Sequence, residues 1–544
     1  MHLAVAPTLY DTFQSTVARF PERDAYAVPP MADRPYHPDG ISFTWRQTAE
    51  EVERRRRWYE AAGYGPGDRV AILFEQRPEF VFHHFALNAL GASVVPLNAD
   101  HQPDELGYVL GHSQATLALA IDSRMNDLRA ALRTLQTPPP LLRFDDLSRP
   151  APSPRGSRGA AVRGSLAEAG LLYTSGTTGR PKGCVLTNDY FHHFGASFVL
   201  RGGPLALREG EERLYNPLPL HHANALSISL PAMLMTGNCL VFPDRFHAST
   251  WWDDVIACKI TAVQFQGVIP NILLKRPPDP RERTHAIRFA LCAGIEPTRH
   301  ATFEERFGFP LIEMWAMTET GRIIVAHDEP RQIDTRAFGR AYPGFDARVV
   351  DASDRDVPAG TSGEFVIRNS AEEPRRGFFD GYLDDPAATA EAWRGGWFRT
   401  GDVVTRDQTG MFAFVERAKN IIRRSGENIA AAEVESCLVA HEAVRQAAVI
   451  AVRDELREEE VMACIVAHDA ARADDALAAD LVRFCIERLA TFKAPGWVLF
   501  LDRLPTTSSQ KIHKINIFPD GTDPRSLSAA RDLRPLKSRT KVTP

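Results

Sequence analysis

The sequence predicts an α/β protein with a mostly parallel sheet, followed by short antiparallel strands and a small α+β domain. Three observations predict it. Strand-like and helix-like stretches alternate through the first 300 residues, the mark of βαβ units. From about residue 345 the texture changes to short strands separated by Gly/Pro-rich turns. After Arg417 a new helix-and-strand unit of roughly 100 residues begins. A chain of 544 residues is too long for one core, so more than one domain is expected.

The elements follow in order. RQTAEEVERRRRWYEAAG (46–63) reads as a helix closed by a glycine, RVAILFE (69–75) as a buried strand, RPEFVFHHFALNALGA (77–92) as a second helix and SVVPLN (93–98) as a second strand. The alternation continues through 115–145, 171–200, 239–243 and 260–295. RPAPSPRGSRGAAVRGS (149–165) is an exposed loop whose arginines are read as solvated. ALSISLPAMLMTGNCLVF, interrupted by Pro231 and by Thr236-Gly237-Asn238, reads as a core helix and strand and leaves no membrane span. Domain boundaries are expected at 1–417, 418–520 and a flexible tail at 521–544, without internal repeats.

Composition limits the function. Net charge is −5, hydrophobic residues are 44% and charged residues 24%. These values suit a soluble globular protein and argue against a nucleic-acid partner, which calls for a basic surface. The seven scattered cysteines form no CxxC pair, and MHLAVAPTLYDTF lacks a signal-peptide pattern. Reduced thiols and a cytoplasmic location are expected. A homodimer is the default oligomer.

The most informative stretch is LLYTSGTTGRPKGCVLTN, Leu171 to Asn188. A buried strand runs into Thr174-Ser175-Gly176-Thr177-Thr178-Gly179, then Arg180-Pro181-Lys182. Flexible backbone N–H groups, hydroxyls and one lysine make a cradle for phosphate. It is no Walker A loop, which needs G-x-x-x-x-G-K-[ST], because Gly179 is followed by Arg180-Pro181-Lys182-Gly183.

On these residues the sequence resembles the adenylate-forming, AMP-binding superfamily, in its acyl-CoA synthetase branch. YTSGTTGRPKG matches that family's signature loop. Further motifs fall in the family's order: ALGASVVPLN (89–98), LPLHHANA (218–225), AGIEP (293–297), MWAMTETG (314–321), WFRTGD (397–402), ERAKNIIRRSGENI (416–429) and PTTSSQKIHK (505–514). The likeness spans about residues 10 to 515. It implies a large N-terminal domain of two parallel-type sheets plus a small β-barrel-like part, and a small mobile α+β C-terminal lid.

The resemblance also implies the chemistry. A carboxylic acid attacks the α-phosphorus of ATP, giving acyl-AMP and pyrophosphate, and the thiol of coenzyme A then expels AMP. Lys511 matches the catalytic lysine that bridges carboxylate and α-phosphate, with Gln510 where the family usually has glycine. Glu319 matches the Mg²⁺ ligand and Thr318 an α-phosphate contact. Trp315 stands at a position whose tyrosine stacks on adenine, and it reads equally as a core aromatic. Gly294, Ile295 and Glu296 match the adenine and acyl lining, Asp402 the acceptor of both ribose hydroxyls, and Arg417 a ribose or phosphate contact.

Lys419 matches the hinge about which the lid turns between half-reactions, and Ser425, Gly426 and Glu427 the face that admits coenzyme A. Gly426 also reads as a turn glycine. His222 matches a position at the acyl pocket mouth, with His221 as its rival. Asn224–Leu230, 264–270, 292–296 and 315–320 are expected to line a rather polar acyl pocket, with a weak leaning toward carnitine- and crotonobetaine-CoA ligases. Two other functions compete: an adenylating enzyme that hands the acyl group to a carrier protein, and a catalytically silent nucleotide-binding homologue.

Overall fold

The computed structural model describes residues 6–537, except 145, 155–161, 175–179, 296, 352, 418–420, 470–472, 506–513, 515–516 and 519–521. The chain packs as two compact units. One comprises residues 1–99, 110–173 and 183–418, and the other 100–109, 174–182 and 419–544.

Three sheets belong to the first unit. An eight-stranded sheet runs in the order Ile323–Val325, Leu311–Ala316, Phe289–Ala293, Ala262–Gln266, Arg213–Tyr215, Cys239–Val241, Asp24–Val28, Ile41–Thr44. It is parallel throughout except at its two edge pairs. A seven-stranded sheet places Arg69–Leu73 between Ser93–Leu97 and Leu117–Ala120, all parallel, with Gly381–Tyr382 as its antiparallel edge. The predicted barrel-like part is a five-stranded antiparallel sheet over residues 337–417. Parallel strands are covered on both faces by their crossover helices, and Val70–Leu73 and Leu117–Ala120 are wholly buried.

The predicted early elements are present: helix Trp45–Ala62 ends at Gly63, whose φ of 89° suits glycine. Its four consecutive arginines are answered within the helix. Arg55 meets Glu51 at 2.5 Å, Arg56 and Arg57 meet Glu53 at 2.6 and 2.7 Å, and Arg55 lies buried over Phe82. The run is therefore no basic patch.

The stretch read as a plain core helix differs. Asn224–Ser229 is a π-helix that passes into helix Leu230–Thr236. Asn216 Nδ2 donates to both Asn224 Oδ1 (3.0 Å) and Ser229 Oγ (2.8 Å). Residues five apart on an α-helix diverge by about 140° around its axis. The wider turn lets both side chains reach one partner.

The second unit holds a six-stranded sheet with helices Ala431–Val439 and Asp475–Arg488 packed in one apolar cluster. The expectation of a flexible tail from 521 is corrected for residues 522–537. Arg531–Asp532 pairs with the edge strand Trp497–Phe500, and Leu533 and Leu536 pack on the core. Lys537 Nζ donates to Glu460 Oε1 at 2.6 Å, while Arg424 Nε reaches both Glu460 oxygens at 2.9 and 2.8 Å. Ala/Ser/Arg composition hid this, because one lysine and two leucines carry the docking.

Two stability predictions follow from burial. His84 lies 1% exposed among Phe80, Phe85 and Phe191, and burial lowers its pKa to about 4. Between pH 6.5 and 4 the unfolded chain takes up a proton that the folded chain refuses. Stability therefore falls with pH across that window, by roughly 3 kcal/mol in all. Urea titrations at stepped pH should show His84→Leu flattening this acid limb. In the second unit, Glu460→Ala leaves Arg424 and Lys537 buried without their shared carboxylate and is expected to cost about 3–5 kcal/mol. Lys537→Met leaves the Arg424–Glu460 pair intact and should cost under about 1.5 kcal/mol. Hydrogen exchange across Glu458–Ala467 measures both.

Candidate active site

The site lies at the carboxyl ends of adjacent parallel strands, where open α/β sheets place their ligands. Strand Phe289–Ala293 delivers Gly294 and Ile295, and its neighbour Leu311–Ala316 delivers Trp315, then Thr318 and Glu319. Glu313, which the sequence reading missed, joins the two. Its carboxylate accepts from the Gly294 and Ile295 N–H groups at 2.7 Å each. Two charge-assisted bonds fix a turn whose glycine has φ +80°. An acidic residue inside a strand was the available signal.

The Thr318–Gly321 turn is held from several sides. Tyr190 Oη donates to the Thr318 carbonyl at 2.7 Å, and Tyr382 Oη donates to Glu319 Oε1 at 2.9 Å. The Phe379 N–H donates to the Glu319 carbonyl at 3.0 Å. Gly321 has φ +59°, and a Cβ there would lie 1.8 Å from the Gly377 carbonyl oxygen, so only glycine allows the approach. Glu319 is 7% exposed. Burial, with the Glu319 charge added, pushes the Tyr382 phenol pKa well above its usual value, so it remains a donor. Neither tyrosine was singled out from sequence.

Trp315 is 5% exposed. Its ring packs on Phe338 (6.0 Å) and Phe365 (5.1 Å), and its indole N–H donates to Asp402 Oδ2 at 2.8 Å. Asp402 is fully buried in the antiparallel sheet, and its Cα partner across the ladder is Arg417. The sequence thus named Asp402 and Arg417, and the structure sets them opposite one another.

His221 and His222 are both half-buried, with ring centroids 4.4 Å apart. A largely buried polar chain links the predicted acyl segments: Asn216 bonds Asn224 and Ser229, and Ser229 Oγ donates to Gln264 Oε1 at 2.5 Å. Gln264 is fully buried, and its Nε2 has no partner among the described residues.

In the second unit, Thr174 ends a strand and Lys182 opens the next, while Tyr108 Oη donates to the Pro181 carbonyl at 2.9 Å. Ser425 and Gly426 are the two central residues of a hairpin between Ile421–Arg424 and Glu427–Ala430, with φ +52° and +86°. A two-residue turn with both φ positive accounts for the glycine by itself. Ser175, Gly176, Thr177, Thr178, Gly179, Glu296, Lys419 and Lys511 lie outside the described residues.

The chain resembles known proteins over most of its length. The AMP-binding enzyme model matches residues 13–383, and the AMP-binding enzyme C-terminal domain model matches residues 433–511. A sulfoacetate–CoA ligase from Cupriavidus necator is 32% identical over 95% of this chain and 99% of that protein. A crotonobetaine/carnitine–CoA ligase from Salmonella typhimurium is 29% identical over 87% of this chain and 93% of that protein. A malonyl-CoA ligase structure with methylmalonyl-CoA and AMP bound is 26% identical, covers 89% of this chain and 97% of its own, and gives a TM-score of 0.72. The o-succinylbenzoate CoA synthetase of Bacillus subtilis, 24% identical over 94% of this chain and 98% of its own, shares the fold with a TM-score of 0.79. The chain belongs to the AMP-binding enzyme family.

Proposed function

We infer that the chain is an ATP-dependent carboxylic acid–CoA ligase of the AMP-forming kind. It joins an acid to the α-phosphate of ATP with release of pyrophosphate, and the thiol of coenzyme A then displaces AMP. The observation that carries this reading is a pair of buried carboxylates, Glu319 and Asp402. Each is fixed by an uncharged donor, Tyr382 and Trp315 respectively.

In this reading Asp402 accepts ribose hydroxyls and Arg417 contacts ribose or phosphate. Thr318 bonds the α-phosphate, and the loop from Thr174 to Lys182 cradles the phosphates. Glu319 offers a hard divalent cation a carboxylate oxygen donor, and the Tyr382 hydroxyl bonds that carboxylate at 2.9 Å. Mg²⁺ supplies charge neutralisation at the phosphates when bound. Gly294, Ile295 and Glu296 line the adenine and acyl side, and His222 stands at the pocket mouth. Lys511 places its ammonium where a carboxyl oxygen meets phosphorus. Lys419 is the hinge, and Ser425, Gly426 and Glu427 form the face that admits the thiol.

The acid is small and polar. Support comes from the buried chain Asn216–Asn224–Ser229–Gln264, whose Gln264 amide nitrogen still has a hydrogen bond to give. Relatives named for sulfoacetate and for crotonobetaine or carnitine agree with it.

The test is acid-dependent pyrophosphate release across a panel of short polar acids, with and without CoA, alongside loss of free thiol. Thiol loss matched one to one with AMP supports the ligase. Turnover that ignores CoA and loads a carrier protein supports the rival. Lys511→Ala is expected to slow adenylate formation roughly 100- to 1000-fold, while preformed acyl-AMP is still converted to thioester. Undiminished adenylate formation in that variant overturns the role given to Lys511.

A further inference from the structure

We propose that Asn224 and Gln264 select the acid by its far end: that end carries hydrogen-bond acceptor oxygens, as in a sulfonate or a second carboxylate, and a trimethylammonium or alkyl end is rejected. This rests on the reading of the chain as a ligase of small polar acids, with 224–230 and 264–270 lining the acyl pocket.

One backbone N–H fixes the direction of every bond in the polar chain. The Leu218 N–H donates to Asn216 Oδ1 at 2.9 Å, so the Asn216 amide nitrogen lies on the other side. Its hydrogens go to Asn224 Oδ1 (3.0 Å) and Ser229 Oγ (2.8 Å). Asn224 therefore turns its oxygen into the chain. Ser229 accepts with its oxygen, and its one hydrogen goes to Gln264 Oε1 at 2.5 Å. Turning the Asn216 or Asn224 amide over would set donor against donor, and turning Gln264 over would strand the Ser229 hydrogen.

Both ends of the chain thus finish in amide N–H groups. Gln264 is fully buried, and its Nε2 has no partner among the described residues. A buried donor without an acceptor is destabilising, so this end calls for an oxygen from outside the chain. Asn224 is half-buried and stands two residues beyond His222, at the start of the π-helix. Single π-turns are frequent at functional sites, and this one lets Asn224 and Ser229 share Asn216. Hydrogen bonds to an ionised acceptor are about twice as strong as neutral ones. A trimethylammonium or tert-butyl group has no lone pair and would leave the donors unmet.

Three short acids of one shape test this. Sulfoacetate, betaine and tert-butylacetate place a sulfonate, a trimethylammonium and a tert-butyl group on the same methylene carboxylate. Malonate and malonamate add a carboxylate and a neutral carbonyl. Thioester and AMP formation by the full-length protein gives kcat/KM for each. Sulfoacetate or malonate should exceed betaine and tert-butylacetate by about 100-fold or more, with malonamate between. Asn224→Asp keeps the oxygen that Asn216 bonds and replaces the outward N–H groups by a second carboxylate oxygen. It should lower kcat/KM for the anionic-ended acids by about tenfold or more and raise it for betaine, with the melting temperature near wild type. A merely structural role would lower all the acids alike. Gln264→Met removes the deep N–H and should narrow the ratio of sulfoacetate to tert-butylacetate by about tenfold.

Betaine or tert-butylacetate used as well as the acceptor-ended acids overturns the proposal, and so does an Asn224→Asp variant that leaves their ratio unchanged. The ligase reading survives both results, because thioester has formed. No thioester from any acid of the panel overturns the small-acid reading and the proposal together.

Discussion

Two carboxylates inside an apolar unit impose the constraint on which the site depends. Removing an ion from water without partners costs several kcal/mol or more. Arginine would meet that cost most simply, and elsewhere in this chain it does: Arg306 holds Glu282, and Arg331 holds Glu304. Glu319 and Asp402 receive, among their partners, a phenol and an indole. An uncharged donor satisfies the lone pairs and fixes the rotamer while leaving the negative charge in place.

Backbone shape carries the same constraint outward. Gly321 allows the turn after Glu319 to close on the Gly377 carbonyl, and that approach aligns the Phe379 N–H and the Tyr382 hydroxyl with Glu319. Glu313 does equivalent work one strand away for Gly294 and Ile295. Each functional turn thus leaves the end of a parallel strand and is caught by a side chain from another element. The strands supply direction, and the captures supply precision.

Sequence made the scaffold legible, and with it the glycines, hydroxyls, lysine and carboxylates whose spacing matches the family's motifs. The alternating strands and helices were legible because buried parallel strands must be continuously apolar. What stayed hidden were partners. Tyr190, Tyr382 and Glu313 are ordinary residues until a fold sets them 2.7–2.9 Å from a target. The partner of the Trp315 indole N–H was hidden in the same way, since Asp402 lies 87 residues further along the chain. The docked segment 522–537 escaped because polar composition says nothing about an unpaired sheet edge waiting for a strand.

Gly426 illustrates why motif residues need a local explanation before a functional one. The hairpin requires positive φ at both central positions, and Ser425 takes +52° while Gly426 takes +86°. Serine tolerates the left-handed region at a cost of roughly 1 kcal/mol, and glycine does not pay it. The turn therefore explains glycine at 426 and leaves serine at 425 as the residue whose choice is not conformational. Any contact of this hairpin with a thiol substrate is better sought through the Ser425 hydroxyl, which Arg457 Nη1 approaches at 3.5 Å, than through the absent side chain of Gly426.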